Sequence, residues 1–324
     1  MSNTETDPVE LACRTRVATP GRVEVLSARS VPLGGQRAMR VRRTLPQRAR
    51  SLVGPWCFAD QFGPDEIAET GGVDVPPHPH TGLQTVTWLF AGEIEHRDSS
   101  GVHALVRPGE LNLMTGGRGI CHSEVATRGG PILHGVQLWV ALPDEHRDAP
   151  RDFQHHVPEP VRLDGATVRV FLGELAGVTS PARAFSPLLG AELVLAPSAV
   201  LTLDVDAAFE HGVLASTGGV TVAGTELDAG DLGYLGTGTR SVTVANRSTE
   251  PARAILLGGE PFGAEIVMWW NFVGRSHEEI VGFAGEWEQE SERFGRVEGY
   301  SGSTPRLPVP PLPGTRLKPR GNPG

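Results

Sequence analysis

Residues 76–90 read PPHPHTGLQTVTWLF. His78 and His80 stand two apart just before a strand pattern, and in extended chain residues i and i+2 face the same side. Beyond Gly82, Val86, Trp88 and Phe90 fall on one side of residues 85–90, and residues 135–140 (GVQLWV) repeat the alternation. Both segments read as half-buried strands. A second β unit follows: Leu201, Leu203 and Val205 alternate with Thr202, Asp204 and Asp206, and residues 241–245 (SVTVA) alternate again. The two units share an echo, a turn feeding a strand. Residues 107–110 (RPGE) precede 111–114 (LNLM), and residues 228–231 (DAGD) precede 232–235 (LGYL). Such a repeat predicts an all-β fold of two tandem antiparallel β-barrels, jelly-roll-like, because curling closes exposed strand edges. Only residues 276–294 change period. Ile280, Phe283 and Trp287 recur at spacings of three and four, with Ser276 as cap and Glu279 three residues on, which predicts one C-terminal amphipathic helix.

The 324 residues allow two domains, and 41 Gly with 27 Pro suit short strands joined by tight turns. The formal net charge of −9 argues against gripping phosphate backbones, so nucleic acid is not an expected partner. Cys13, Cys57 and Cys121 are odd in number and lack C-x-x-C spacing. They suggest a reducing, cytoplasmic location with no disulfide framework. Neither a signal peptide nor a long apolar stretch is present, so no membrane contact is expected.

A second pair, His122 and Glu124, has the spacing of His78 and His80 and also follows a Gly-rich turn. Two such pairs on neighbouring strands could aim four ligands at one point. Three neutral imidazoles and one carboxylate suit a divalent first-row metal and leave positions for water, substrate or dioxygen. Each pair taken alone also fits a surface loop or an ordinary polar contact.

The stretches GP (54–55), DQFGP (60–64), HPH (78–80), TVT (85–87), GEIEHRDS (92–99), RPG (107–109), MTGGRGICHSE (114–124) and LHGVQLWV (133–140) resemble the pirin family. The resemblance is strong over residues 22–160 and weaker but continuous to about residue 295. It implies a bicupin with a mononuclear Fe(II), held in the N-terminal barrel by His78, His80, His122 and Glu124. The C-terminal cupin would be metal-free, and His211 is the one histidine between residues 161 and 261. Manganese, nickel, cobalt, copper or zinc would also suit that shell. The implied activity is a dioxygenase of the quercetin 2,3-dioxygenase type, opening a flavonol or similar enol with O2, and Glu124 could take the hydroxyl proton. The alternative is a non-enzymatic iron or redox sensor that binds a transcription factor or metabolic enzyme. A cupin acting on an unrelated small molecule is a third reading.

The expected organisation is a flexible N-terminus (1–21), a metal-binding cupin (22–160), a metal-free cupin (161–265), an extension with the helix (266–300) and a disordered Pro-rich tail (301–324). A monomer is expected. Two departures from the family pattern stand out. Gln84 occupies the place where cupins commonly carry a ligand Glu. Residues 268–276 (MWWNFVGRS) and the tail differ from the short pirin ending, and are expected to affect substrate shape and partner surface while leaving the metal site untouched. Cys121 should point away from the site as a buried thiol. His96 and His134 lie on or near strands by the site, and His134 reads as a core or surface imidazole or as a hydrogen-bond donor beside the ligands. Glu93, Glu95, Arg97 and Asp98 read as a solvated turn face, His103 as a loop residue, and Trp269 with Trp270 as packing between the barrels or a pocket wall.

Overall fold

The computed structural model describes residues 22–33 and 39–321. The segment 1–21, with Cys13, lies outside the described residues. The chain is a bicupin, nearly all β, with Ile67–Thr70 and His277–Glu288 the two helices among the described residues. Each unit joins a seven-stranded to a four-stranded sheet. In the first, the larger sheet runs in space Asp152–His156, Leu111–Thr115, Leu83–Ala91, Ile132–Ala141, Trp56–Glu66, Met39–Leu45, Arg29–Leu33. The smaller runs Asp74–His80, Ile120–Ala126, Ile94–Asp98, His103–Val106.

The second unit repeats this plan. Leu232–Leu235, Glu210–Ala215, Ala252–Gly259, Leu188–Leu195, Ala166–Leu172 and Val161–Leu163 lie side by side, faced by Val200–Asp204, Ser241–Asn246, Val220–Val222 and Thr225–Leu227. Its outermost strand comes from the start of the chain. Glu24–Leu26 pairs antiparallel with Leu232–Leu235, with Glu24 opposite Tyr234 and Leu26 opposite Leu232. Residues 24–26 were read with the first unit, but their partners are in the second. The pairings otherwise pass from one unit to the next between His156 and Val161.

The alternation read in the sequence builds two large apolar layers. Val168, Leu193, Val213 and Leu256 fill the second barrel. Between the barrels, Trp56, Trp88, Leu113, Val136 and Leu138 meet Phe171, Leu172, Leu214, Ile255 and Leu257. At about 1.5–3 kcal/mol per fully buried large side chain, this seam is the main force joining the units. Polar contacts cross it too: Thr44 Oγ1 donates to the Gly230 carbonyl at 2.7 Å, Trp56 Nε1 to the Gly258 carbonyl at 3.0 Å and Gln61 Nε2 to the Ser216 carbonyl at 3.0 Å. The Glu210 carboxylate accepts from the Gly54 amide at 2.7 Å and the Tyr234 hydroxyl at 2.8 Å. Gly54 has φ +52°, and a Cβ there would lie 2.6 Å from the Gly259 Cα. Glycine is needed where the two backbones approach so closely.

The C-terminal extension covers the other side of the first barrel. Ser276 caps the helix, its hydroxyl accepting from the Glu279 amide at 3.2 Å. Glu279 reaches back to the Arg275 amide at 2.6 Å, one residue beyond the Ser276 amide that a capping box would use. The helix is shorter than the periodicity predicts. It stops at Glu288 because Glu290 turns into the left-handed region at φ +52°, which folds Phe294 back against Trp287 at 5.5 Å. Trp269 and Trp270 pack here with Cys121, Phe272, Ile280 and Trp287, and not between the barrels.

Residues 301–321, where composition predicts disorder, lie on this layer. The Leu307 amide donates to the Pro77 carbonyl at 2.8 Å, and the Leu307 carbonyl accepts from Trp287 Nε1 at 2.8 Å. Leu317 is buried, and Ile266 and Arg320 form an antiparallel bridge. Prolines hold this stretch extended, so its free carbonyls and its leucines can dock on the helix without forming a helix or strand of their own.

Candidate metal centre

Two neighbouring strands of the smaller sheet build the site. Asp74–His80 pairs antiparallel with Ile120–Ala126, placing His122 opposite His78 and Ile120 opposite His80. Opposed residues face the same way, as do residues two apart. His78, His80, His122 and Glu124 therefore all point into the first barrel, and all four are buried. One nitrogen from each imidazole lies within 4.8 Å of the other two. His80 Nε2 and His122 Nε2 are 3.1 Å apart. Glu124 Oε2 is 4.0 Å from His122 Nε2, and Thr87 Oγ1 is 3.4 Å from Glu124 Oε1.

Hydrogen bonds on the far side of two of the rings decide their tautomers. His78 Nδ1 donates to the Pro76 carbonyl at 2.8 Å, and His80 Nδ1 donates to the Asn271 carbonyl at 3.2 Å. Each proton on Nδ1 leaves an Nε2 lone pair for the centre. Burial holds all three rings neutral: His78 is pushed down to about 4, and His80 and His122 well below the ordinary histidine value. Three neutral imidazoles, two of them with the lone pair turned inward, beside a carboxylate make a donor set that fits a divalent first-row cation.

Asn271 was not foreseen. It sits in the hairpin of Val267–Trp269 and Phe272–Gly274, whose turn residue Trp270 has φ +52°. The hairpin docks beside Thr81, with the Val273 amide donating to the Thr81 carbonyl at 3.1 Å. The segment expected to leave the metal site untouched thus supplies the acceptor that orients His80. The solvated-face reading of residues 93–98 also needs correction. Ile94, His96 and Asp98 face inward while Glu95 and Arg97 stay partly exposed. His96 Nδ1 lies 3.3 Å from His122 Nδ1, and His96 Nε2 lies 3.2 Å from Asp98 Oδ2. The signal for this pair was present as an H-x-acid spacing of two like that of His122 and Glu124, obscured by the surrounding charges.

The remaining sequence candidates stand apart. Gln84 faces away from the cluster, its amide donating to Thr115 Oγ1 at 3.0 Å and the Arg183 carbonyl at 3.3 Å. A Glu at this position would point the wrong way, because Thr87 is on the inward face. His134 packs edge-on against Phe90 at 4.8 Å, and its pKa is lowered by burial to about 4. His103 bonds Glu95 at 2.7 Å in solvent. Cys121 points outward, its Sγ 3.5 Å from the Gly295 carbonyl.

In the second barrel, the strands that take the places of Asp74–His80 and Ile120–Ala126 turn Leu201, Leu203, Val242 and Val244 inward. These side chains offer no donor atoms.

The family described as Pirin matches residues 37–140, and the Pirin C-terminal cupin domain matches residues 190–295. A "Pirin-like protein" of Caulobacter vibrioides is 37% identical over 275 residues, covering 82% of this chain and 92% of that protein. The chain belongs to the pirin family. This pirin is also 45% identical over 290 residues to the "Putative quercetin 2,3-dioxygenase PA1205" of Pseudomonas aeruginosa, covering 89% and 90% of the two chains. A crystal structure titled quercetin 2,3-dioxygenase from Acinetobacter baumannii matches it with a TM-score of 0.85 at 36% identity. That match covers 91% of this pirin and 98% of the other chain. No helix among the described residues is long and apolar enough to cross a membrane.

Proposed function

We propose that this pirin is an iron-dependent dioxygenase of the quercetin 2,3-dioxygenase kind, opening a flavonol or related enol with O2 and releasing carbon monoxide. The supporting observation is the buried cluster of three neutral imidazoles, one nitrogen of each within 4.8 Å of the other two, beside the Glu124 carboxylate. His78, His80, His122 and Glu124 would hold the cation. When bound, divalent iron supplies Lewis acidity toward an enolic hydroxyl and redox chemistry toward dioxygen.

The chain's own groups supply the rest. The Pro76 and Asn271 carbonyls fix two of the rings, so the donor set is organised before any cation arrives. Glu124, buried beside the three rings, would be the base that takes the proton of a substrate hydroxyl at the centre. The indole of Trp139, 5.2 Å edge-on from His80, keeps water from that ring.

The test follows the loss of quercetin absorbance under air with iron-loaded protein, together with carbon monoxide release. Turnover in wild type is expected to fall at least about 100-fold in Glu124→Gln, which removes both a charged ligand and the base, and to vanish in His122→Ala. Unchanged turnover in both variants, or none in iron-loaded wild type, refutes the proposal. A protein that lacks turnover yet binds a partner only in one iron oxidation state would be a redox sensor instead.

A further inference from the structure

His122 differs from His78 and His80 in the partner on its far side. Its Nδ1 faces another imidazole, not a carbonyl, and an imidazole can donate or accept. If His122 carried its proton on Nε2, no lone pair would face the centre.

We propose that His96 and Asp98 form a positioning pair that fixes the His122 tautomer, with Asp98 setting the proton on His96 and His96 setting the proton on His122. The inference rests on the metal-centre reading and deepens it. The strand register creates the arrangement: Asp98 is opposite His122 and His96 is opposite Glu124. All four side chains therefore share the inward face, and both members of the pair are buried.

Asp98 Oδ1 accepts from the Ser100 amide at 2.7 Å, the Ser100 hydroxyl at 2.6 Å and the Val102 amide at 3.3 Å. Those donors favour an ionised carboxylate, which can only accept. Asp98 Oδ2 must therefore receive the proton on His96 Nε2, at 3.2 Å. A neutral His96 protonated there has a bare Nδ1, and that atom can only accept the proton of His122 Nδ1, at 3.3 Å. His122 is left with its lone pair on Nε2, the atom 3.1 Å from His80 Nε2. Phe153 lies along the His96 ring at 4.9 Å and 33°, and holds its plane. His78 and His80 use carbonyls, which cannot donate. An imidazole in the same role needs Asp98 behind it to lose its ambiguity.

The experiment uses full-length protein with 15N-labelled histidine, and compares wild type, His96→Phe and His96→Gln. Long-range 1H–15N correlation spectra of the metal-free protein report the tautomer of His122. Competition with a chromophoric chelator reports the affinity for Zn2+. Wild type should show His122 protonated on Nδ1. His96→Phe should lose that preference and bind zinc about 10–100-fold more weakly, the usual cost of losing a partner that orients a ligand. In His96→Gln the side-chain carbonyl can accept from His122, so both the tautomer and the affinity should recover to within about threefold of wild type.

An unchanged tautomer and affinity in His96→Phe overturns the proposal. Equal impairment in His96→Gln and His96→Phe also overturns it, because packing alone would then explain the loss. Neither arm involves turnover, so a failed dioxygenase assay leaves this result standing. If wild type binds no metal, the metal-centre reading fails while the spectra still decide the tautomer.

Discussion

His211 gives the sharpest test of the energetics. It is fully buried in the second barrel, on the inward face shared with Val213 and Ala215, and neither ring nitrogen has a hydrogen-bond partner among the described residues. Burial lowers its pKa to about 4. The unfolded chain binds a proton near the ordinary value of about 6.5, so below that pH the unfolded state takes up more protons than the folded one. The stability is complete above about pH 6.5 and is lost as pH falls toward 4. At 1.36 kcal/mol per unit, a shift of about 2.5 units amounts to about 3 kcal/mol in full and about 2 kcal/mol by pH 5. His211→Leu replaces the ring with an apolar side chain of similar size. It should match or exceed wild type at pH 8, because it removes a buried polar group without partners. Urea denaturation of both metal-free proteins, followed by tryptophan fluorescence at pH 8 and pH 5, measures the difference. The other buried histidines titrate in both proteins, so the comparison isolates His211. Wild type should lose about 2 kcal/mol more than the variant between the two pH values. Equal losses in the two proteins would refute the reasoning.

Two further predictions concern the first barrel and its cover. Burial raises the Cys57 thiol to about 12 and the Cys121 thiol to about 11, so iodoacetamide at pH 8 should leave both unmodified until the protein is denatured, as read by peptide mass spectrometry. Truncation after Ser303 removes Leu307, Leu317 and the hydrogen bond to Pro77; at about 1.5–3 kcal/mol per buried side chain, it should lower Tm by roughly 5–10 °C in a thermal melt, and an unchanged melt would show that the tail contributes nothing.

Features that depend on one local rule were legible in the sequence, and features that depend on pairing were not. H-x-H and H-x-E announce a shared face because the strand period is two, and the amphipathic helix announces itself by its spacing. His96 and Asp98 obey the same rule, yet within a charged run. Only the register that sets them opposite Glu124 and His122 separates them from a solvated turn. Asn271 is 191 residues from His80 in the chain, and no local pattern carries such a contact. Likewise, the prolines after residue 301 show that the tail is extended but not that a face of the helix awaits it.

The second barrel shows how much depends on parity. The chain distance from Leu111 to His122 equals that from Leu232 to Thr243, so counting from the preceding turn makes Thr243 the counterpart of His122. The pairing agrees, since Thr202 lies opposite Thr243 as His78 lies opposite His122. Yet this threonine pair lies outside the barrel, its hydroxyls 2.9 Å apart, while Leu201, Leu203, Val242 and Val244 fill the interior. A shift of one residue in a strand moves every side chain to the opposite face. The second barrel therefore differs from the first in which face its ligand-position residues occupy, as well as in residue type. Writing histidines at Thr202 and Thr243 would place them on the outer face, away from the barrel interior. A second centre would have to be built at the four aliphatic positions, each now part of the barrel's core, and the packing lost there is what opposes it.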